Sequence, residues 1–180
     1  MSHKVFRVIR TILLKIAYGK RITIKKYPDF SNSTKIKIYK NGKIVLGKGI
    51  TAFNNVHFSA VDGKLEVGDS TSFNRNCIIV SRESIKIGEK CFFGPNVCIY
   101  DHDHVFDIEG VKIQYKTGPI VIEDNCWIGA NAVILRGTHI GKGCVIGAGT
   151  IIKGDIPPHS IVMSDRKLNI KPIRVVELDI

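Results

Sequence analysis

The stretch VIEDNCWIGANAVILRGTHIGKGCVIGAGTIIKGDI, residues 121–156, decides the fold. Within it an aliphatic residue returns at every sixth position: Ile122, Ile128, Ile134, Ile140, Ile146 and Ile152. Four residues after each come Cys126, Ala132, Thr138, Cys144 and Thr150, with Ile156 as the pattern closes. A period of six fits neither a 3.6-residue helix nor an ordinary amphipathic strand, whose signal is a period of two. It marks a hexapeptide solenoid. Each short strand turns one large and one small side chain inward, then bends, and only stacked copies close off a core.

The same period runs upstream with slips. Ile38, Ile44, Ile50 and Val56 keep it, as do Val61, Val67, Phe73, Ile79 and Ile85, and then Ile87, Phe93 and Ile99. The slips fall near Asp62-Gly63 and Arg82-Glu83, where extra residues are extruded as turns. One large break separates Ile99 from Ile120. Its sequence, DHDHVFDIEGVKIQYKTGP (101–119), is polar, ends in Gly-Pro and has no counterpart in the repeat. Solenoids accommodate insertions as loops on one face, often the binding face, so this external loop is the place to look for chemistry.

A chain of 180 residues is one domain with short ends. We expect an N-terminal helix over 1–20, the solenoid over 21–158 and a tail over 159–180. The composition, 44% hydrophobic and only 8% aromatic with Val and Ile dominant, suits thin, regularly packed strands. Cys77, Cys91, Cys98, Cys126 and Cys144 are odd in number and form no CxxC pair. Most occupy the small-residue slot of a repeat, which makes them reduced core filler instead of a disulfide framework or metal site. Reduced thiols point to the cytoplasm.

The net charge of +11 is unevenly placed: residues 1–48 hold thirteen Lys or Arg against one acid, Asp29. In KVFRVIRTILLKIAY, residues 4–18, Val5, Val8, Ile9, Ile12, Leu13 and Ile16 alternate with Lys4, Arg7, Thr11 and Lys15 at helical spacing. Arg10 and Lys15 interrupt the apolar run and no cleavage site follows, unlike a signal peptide. The segment is too short and too charged to span a bilayer. Two readings stay open: a cap on the solenoid or a neighbouring subunit, and a basic interfacial helix in peripheral contact with an anionic membrane. Nucleic-acid binding is not expected, because no aromatics interleave with the basic residues and no nucleic-acid motif is present.

Of six histidines, His102 and His104 stand apart, since both lie in the segment that breaks the period, among Asp101, Asp103 and Asp107. Their spacing of two places both on the same side of an extended segment. An imidazole tuned by a nearby carboxylate is a natural general base. No metal site is expected: zinc catalysis needs three protein ligands, and no third histidine lies nearby.

From about residue 65 to 158 the chain resembles the left-handed parallel β-helix acyltransferases. It is most similar to the maltose and galactoside O-acetyltransferases and the capsular-polysaccharide O-acetyltransferases. The resemblance is carried by IGEKCFFGPNVCIYDHDHVFD and by VIEDNCWIGANAVILRGTHIGKGCVIGAGTIIKGDIPP. It implies an all-β fold of three strands per coil, with a left-handed crossover that departs from the usual right-handed rule. It also implies a homotrimer with active sites between neighbouring subunits, and acetyl-CoA as cosubstrate. Carried over residue by residue, it makes His104 the catalytic base and gives Asn74 to the acceptor; His102, which it does not match, is read as a loop residue that touches the acceptor. Trp127, Ala130, Ala148 and Lys153 go to the cofactor, with the Ala130 backbone amide facing the thioester oxygen. One of Asp101, Asp103 and Asp107 would orient the imidazole. Two departures fall where coenzyme A is normally gripped. Lys153-Gly154 stands in place of Thr-Lys, and Ser164-Asp165-Arg166-Lys167 replaces Gly-x-Pro-Ala, leaving Arg166, Lys167 and Lys171 as candidates to meet phosphates.

The expected activity is O-acetylation of a sugar hydroxyl in surface-polysaccharide or glycan assembly. Three other readings remain: N-acetylation of a nucleotide-linked amino sugar, a non-catalytic β-helix scaffold, and a metal-dependent hydratase.

Overall fold

The computed structural model describes residues 3–165. After a helix, His3–Tyr18, the chain winds into a solenoid of short parallel strands. The strands form three faces. The first face has seven strands, from Ile22–Ile24 to Asp155–Ile156; the second has seven, from Asp29–Phe30 to Ile161–Val162. The third has six, from Lys35–Tyr39 to Ile151–Ile152. Apart from the two strands of the insertion, every third strand in sequence pairs with the next on its face, which is the left-handed parallel β-helix that the resemblance implies.

The register explains the slips. The first face advances from Ile22 to Ile44 to Leu65 to Ile85, then from Ile122 to Ile140. The first three coils are therefore longer than the 18-residue step between Ile122 and Ile140. Their extra residues sit at the corner between the third and first faces, where Lys40 and Asp62 adopt positive φ (48° and 67°). Val61, by contrast with the other six-spaced residues, is half-exposed at this corner, and Leu65 fills the inward position instead; Ile156, where the pattern closes, is partly buried.

Strand residues alternate between core and solvent, as Lys35–Tyr39 does. The four early coils fill the axis with aromatic rings. Phe73 stacks on Phe93 at 4.6 Å, and Phe58 meets Phe73 edge-on at 5.0 Å. Ala52 leaves the gap on the second face that Phe58, from the third, occupies. The small inward slot has a chemistry of its own. Sγ of Cys77, Cys91, Cys126 and Cys144 donates to the carbonyls of Gly94, Glu123, Gly141 and Pro157 in the next coil, at 3.0–3.2 Å. Thr71 Oγ1 does the same to the Gly88 carbonyl. Burial pushes the Cys77 thiol up to about 11, so it stays a protonated donor. All five cysteines are free.

The corner between second and third faces is an asparagine ladder. Asn55, Asn76, Asn96 and Asn131 all have φ near +60°, a conformation asparagine tolerates better than most residues. Their side-chain amides bond in sequence: Asn55 Nδ2 to Asn76 Oδ1 (3.2 Å), Asn76 to Asn96 (3.1 Å) and Asn96 to Asn131 (3.0 Å).

A solenoid ends in an open sheet edge whose backbone groups need partners. The N-terminal helix supplies them. Arg7 donates to the Tyr27 and Pro28 carbonyls, Arg10 to those of Ser31 and Thr34, and the Tyr18 hydroxyl to that of Ile36. Leu14 and Tyr18 pack against the core cluster. Of the two readings of this segment, the cap on the solenoid is realised, and it uses arginines that the charge pattern alone left unassigned.

The ladder yields a stability prediction. Asn96→Gly keeps the backbone conformation and loses two exposed amide bonds, costing about 1 kcal/mol. Asn96→Ala adds the left-handed penalty, about 1–2 kcal/mol more. Each kcal/mol should lower Tm by about 2–4 °C in a domain this size. Equal melting temperatures for the two variants would show that the backbone conformation is not what asparagine supplies.

Candidate active site

The period-breaking segment is a β-hairpin, a more ordered form than the external loop expected. His102–Asp107 pairs antiparallel with Gly110–Thr117, with an irregularity between His104 and Phe106. It leaves at the corner between the third and first faces. Its neck is closed by Gly118 N–H donating to the Asp101 carbonyl (3.0 Å) and Gly137 N–H to that of Gly118 (3.2 Å). The stack therefore continues past the insertion: Ile85 pairs with Ile120 as if the coil were unbroken.

Asp101 anchors the hairpin. Its carboxylate is fully buried and accepts from Ser81 Oγ (2.9 Å), Arg82 N (2.8 Å) and Glu83 N (2.9 Å), all in the preceding coil. His102 Nδ1 lies 3.1 Å from Asp101 Oδ1. A carboxylate only accepts, so neutral His102 carries its proton on Nδ1 and presents Nε2 bare. The His102 side chain is only 13% exposed.

His102 and His104 share one side of the strand, as their spacing implied. Tyr115, on the opposite arm, touches both rings, at 5.5 Å from His102 and 4.6 Å from His104. Arg82 lies over the Tyr115 ring, its guanidinium carbon 3.5 Å from the centroid. Its Nε is buried with no hydrogen-bond partner among the described residues. His104 is exposed and lines an open cavity of about 300 Å³ with Asp103, Val105, Phe106, Lys116 and Arg136.

None of the three neighbouring aspartates is hydrogen-bonded to His104 among the described residues. Asp101 holds His102, Asp103 Oδ2 pairs with Arg136 Nε at 2.5 Å, and Asp107 accepts from Glu109 N and pairs with Lys112. Each of the three is paired with another group, and the ring that touches His104 is that of Tyr115. Tyr115, Arg82, Lys116 and Arg136 were missed in the sequence. Pairing the two arms of the segment as a hairpin would have set Tyr115 opposite His104; Arg82 and Arg136 are brought in by stacking across coils, which leaves no local signal.

The remaining candidates lie elsewhere on the chain. Trp127 points outward from the second face, between Phe92 and Val145 in register, and Ile161 extends the apolar row. Asn74, Ala130 and Ala148 lie at the asparagine-ladder corner; Asn74 Oδ1 accepts from Arg75 N at 2.8 Å. The Ala130 and Ala148 amides are donated to no group among the described residues, whereas Gly129, Asn131, Gly147 and Gly149 all donate. Gly94 and Gly129 keep those amides uncovered: a Cβ on either would fall 2.6 Å from Ala130 N or Ala148 N. The corner thus offers backbone donors suited to an oxygen that gains negative charge. Lys153 is exposed just before Gly154, one coil beyond Arg136, at the histidine corner. Arg166, Lys167 and Lys171 lie outside the described residues. Among the described residues no three His, Cys, Asp or Glu groups converge as a metal site would require.

The anchor is directly testable. Asp101→Ala leaves two backbone N–H groups without their acceptor, at about 1–3 kcal/mol each when buried, while the Ser81 hydroxyl keeps the Lys64 carbonyl as an acceptor. Chemical denaturation should show a loss of about 2–5 kcal/mol. Nitrogen chemical shifts of the neutral wild type should place the His102 proton on Nδ1, and in Asp101→Ala that preference should vanish. A His102 tautomer unaffected by the substitution would contradict the geometry.

Comparison with known proteins agrees with the coil geometry. Residues 119–153 match the family model for the hexapeptide repeat of succinyl-transferase. A Saccharomyces cerevisiae protein that carries a provisional acetyltransferase name, YJL218W, is 31% identical over 153 residues, 83% of this chain and 78% of the relative. The galactoside O-acetyltransferase of Lactococcus lactis is 35% identical over 122 residues, covering 64% of this chain; the match spans 54% of that enzyme's length. Among solved structures, a hexapeptide-repeat acetyltransferase of Vibrio cholerae, complexed with acetyl coenzyme A, superposes with a TM-score of 0.56 at 25% identity. That match covers 86% of this chain and 70% of the other. A relative that is matched over more than three quarters of its length joins the repeat and the stacked coils in one conclusion: this chain belongs to the hexapeptide-repeat acetyltransferases.

Proposed function

We propose that the chain transfers the acetyl group of acetyl-CoA to a sugar hydroxyl, in surface-polysaccharide or glycan assembly, at sites formed between the copies of a homotrimer. The observation that carries this reading is the exposed imidazole of His104, set on the one segment that breaks the repeat and facing a cavity edged by Lys116 and Arg136. Acetyl-CoA supplies an acetyl group already activated as a thioester. His104 takes the proton from the acceptor hydroxyl as its oxygen attacks, and returns a proton to the departing sulfur. The Ala130 amide meets the carbonyl oxygen as charge builds there; loss of such a donor typically costs roughly 10²–10³ in rate.

Trp127 and the Ala148 amide line the route of the pantetheine arm, and Lys153 answers phosphate charge. Asn74 and His102 contact the acceptor. His102, held by Asp101 and packed against Tyr115, also keeps the hairpin face in place.

Division of the site between copies is supported by the layout of a single chain. His104 belongs to the corner between third and first faces, whereas Ala130, Ala148 and Asn74 occupy the corner between second and third, with Trp127 on the second face. The hairpin exposes Val105, Phe106, Ile108, Val111 and Ile113, and burying such side chains gains about 1.5–3 kcal/mol each. A neighbouring copy would cover them while bringing its own Trp127 face to His104. The five free thiols fit a reducing compartment, which we take to be the cytoplasm.

The test is acetyl transfer to a panel of sugars and amino sugars, with products identified by mass spectrometry. His104→Ala should lower kcat by about 10²–10⁴ while thermal stability is kept, and His102→Ala should stay within about tenfold of wild type. The opposite ranking would move the base to His102. Preferential acetylation of an amine would replace the hydroxyl acceptor, and no transfer to any acceptor would favour a scaffold.

A further inference from the structure

The N-terminal helix has two working faces, and only one is used by the fold. Arg7, Arg10, Thr11, Leu14 and Tyr18 engage the first coil. Val5 (45% exposed), Ile9 (41%), Ile12 (49%), Leu13 (60%) and Ile16 (75%) do not. At 3.6 residues per turn the two sets are centred about half a turn apart, so the apolar stripe points away from the solenoid along a helix about 24 Å long. Single exposed apolar residues are ordinary. Five on one outward stripe mark an interaction surface.

Charge identifies the partner. The helix contains no acidic residue. Lys15 and Lys20 are exposed beside the stripe, and Lys26, Lys35 and Lys37 are exposed on the first coil that the helix covers. A second copy docking through this face would bring like charges together with no carboxylate on either helix to pair them. An anionic lipid surface complements both features: headgroups neutralise the lysines while the stripe enters the boundary between headgroups and acyl chains. No described helix is long and apolar enough to cross a membrane, so the geometry is that of a helix lying on the surface.

We propose that the outward face of the His3–Tyr18 helix is a docking surface for an anionic membrane, with the solenoid held beneath it through the arginine face. Capping and membrane contact, alternatives in the sequence, are served by opposite sides of one helix. The proposal is independent of acetyl transfer.

The experiment is flotation of the full-length protein with phosphatidylcholine vesicles, with and without phosphatidylglycerol, at low and high salt. Deleting the helix would uncap the first coil, so the variant is the double substitution Ile12→Glu and Ile16→Glu, at two outward positions. The wild type should float only with anionic vesicles, and binding should fall at least tenfold as the Debye length shrinks from about 10 Å at 0.1 M to about 3 Å at 1 M salt. The variant should bind at least tenfold more weakly at low salt, with melting temperature and acetyl transfer to a soluble acceptor unchanged. Failure of the wild type to bind anionic vesicles overturns the proposal, as does equal binding by the variant. A variant that changes the oligomeric mass in lipid-free buffer, while the wild type ignores vesicles, assigns the stripe to contact between copies instead.

Discussion

Backbone hydrogen bonding between successive coils, continued through the corners, is the constraint on which this structure depends. Parallel strands stack at about 4.8 Å, and at that spacing the corners leave little room for a side chain between coils. A Cβ on Gly68 would sit 2.5 Å from the Gly88 carbonyl carbon, and one on Gly129 2.6 Å from Ala148 N. Corner residues must also turn through left-handed conformations, which Asn55, Asn76, Asn96 and Asn131 do in register. The same stacking suits Cys and Thr to the small inward slot, because the thiols of Cys77, Cys91, Cys126 and Cys144 and the hydroxyls of Thr71 and Thr138 each donate to a carbonyl of the next coil. It leaves the first coil with open carbonyls, which Arg7, Arg10 and Tyr18 close. It also restricts where an insertion can leave: the hairpin departs at a corner and is sealed at its neck, so the ladder is not interrupted.

Much of this was legible because the physical rule and the sequence share a period. Ile122 to Ile152 read directly as one inward residue per strand, and all six are buried. Legibility fell where the coils lengthen. Val61 keeps the arithmetic of six but not the geometry, since its corner needs extra residues and Leu65 takes the core position. In the site, the spacing of His102 and His104 correctly placed them on one side of a strand. Their surroundings were not legible. Arg82 lies twenty residues before His102 in sequence, and Arg136 thirty-three after Asp103, yet stacking sets each beside the hairpin. A one-dimensional pattern records repetition well and adjacency between coils poorly. The amphipathic helix shows the complementary limit: its moment was visible, but only the docked structure shows that the arginine side faces inward and the aliphatic side outward.

The candidate groups fall into two sets that one chain does not bring together. One corner carries His104 on a hairpin backed by Tyr115, Arg82 and the Asp101–His102 pair. Another carries two undonated amides, Asn74 and, on the adjoining face, Trp127. On the proposed reading, with the base and the oxyanion donors on separate copies, assembly would be a condition of activity, and a neighbouring copy would cover the aliphatic and aromatic residues that the hairpin exposes.

Co-assembly of two inactive variants tests that claim most directly. His104→Ala removes the base from one chain, and Trp127→Ala together with Asn74→Ala removes the opposing surface from another. Refolded separately, both should be inactive. Refolded together at equal amounts, about a quarter of the head-to-tail interfaces should pair an intact hairpin with an intact second face, and acetyl transfer should return to about that fraction of wild type. No recovery in mixed oligomers of confirmed composition would place the whole site within one chain and contradict the account.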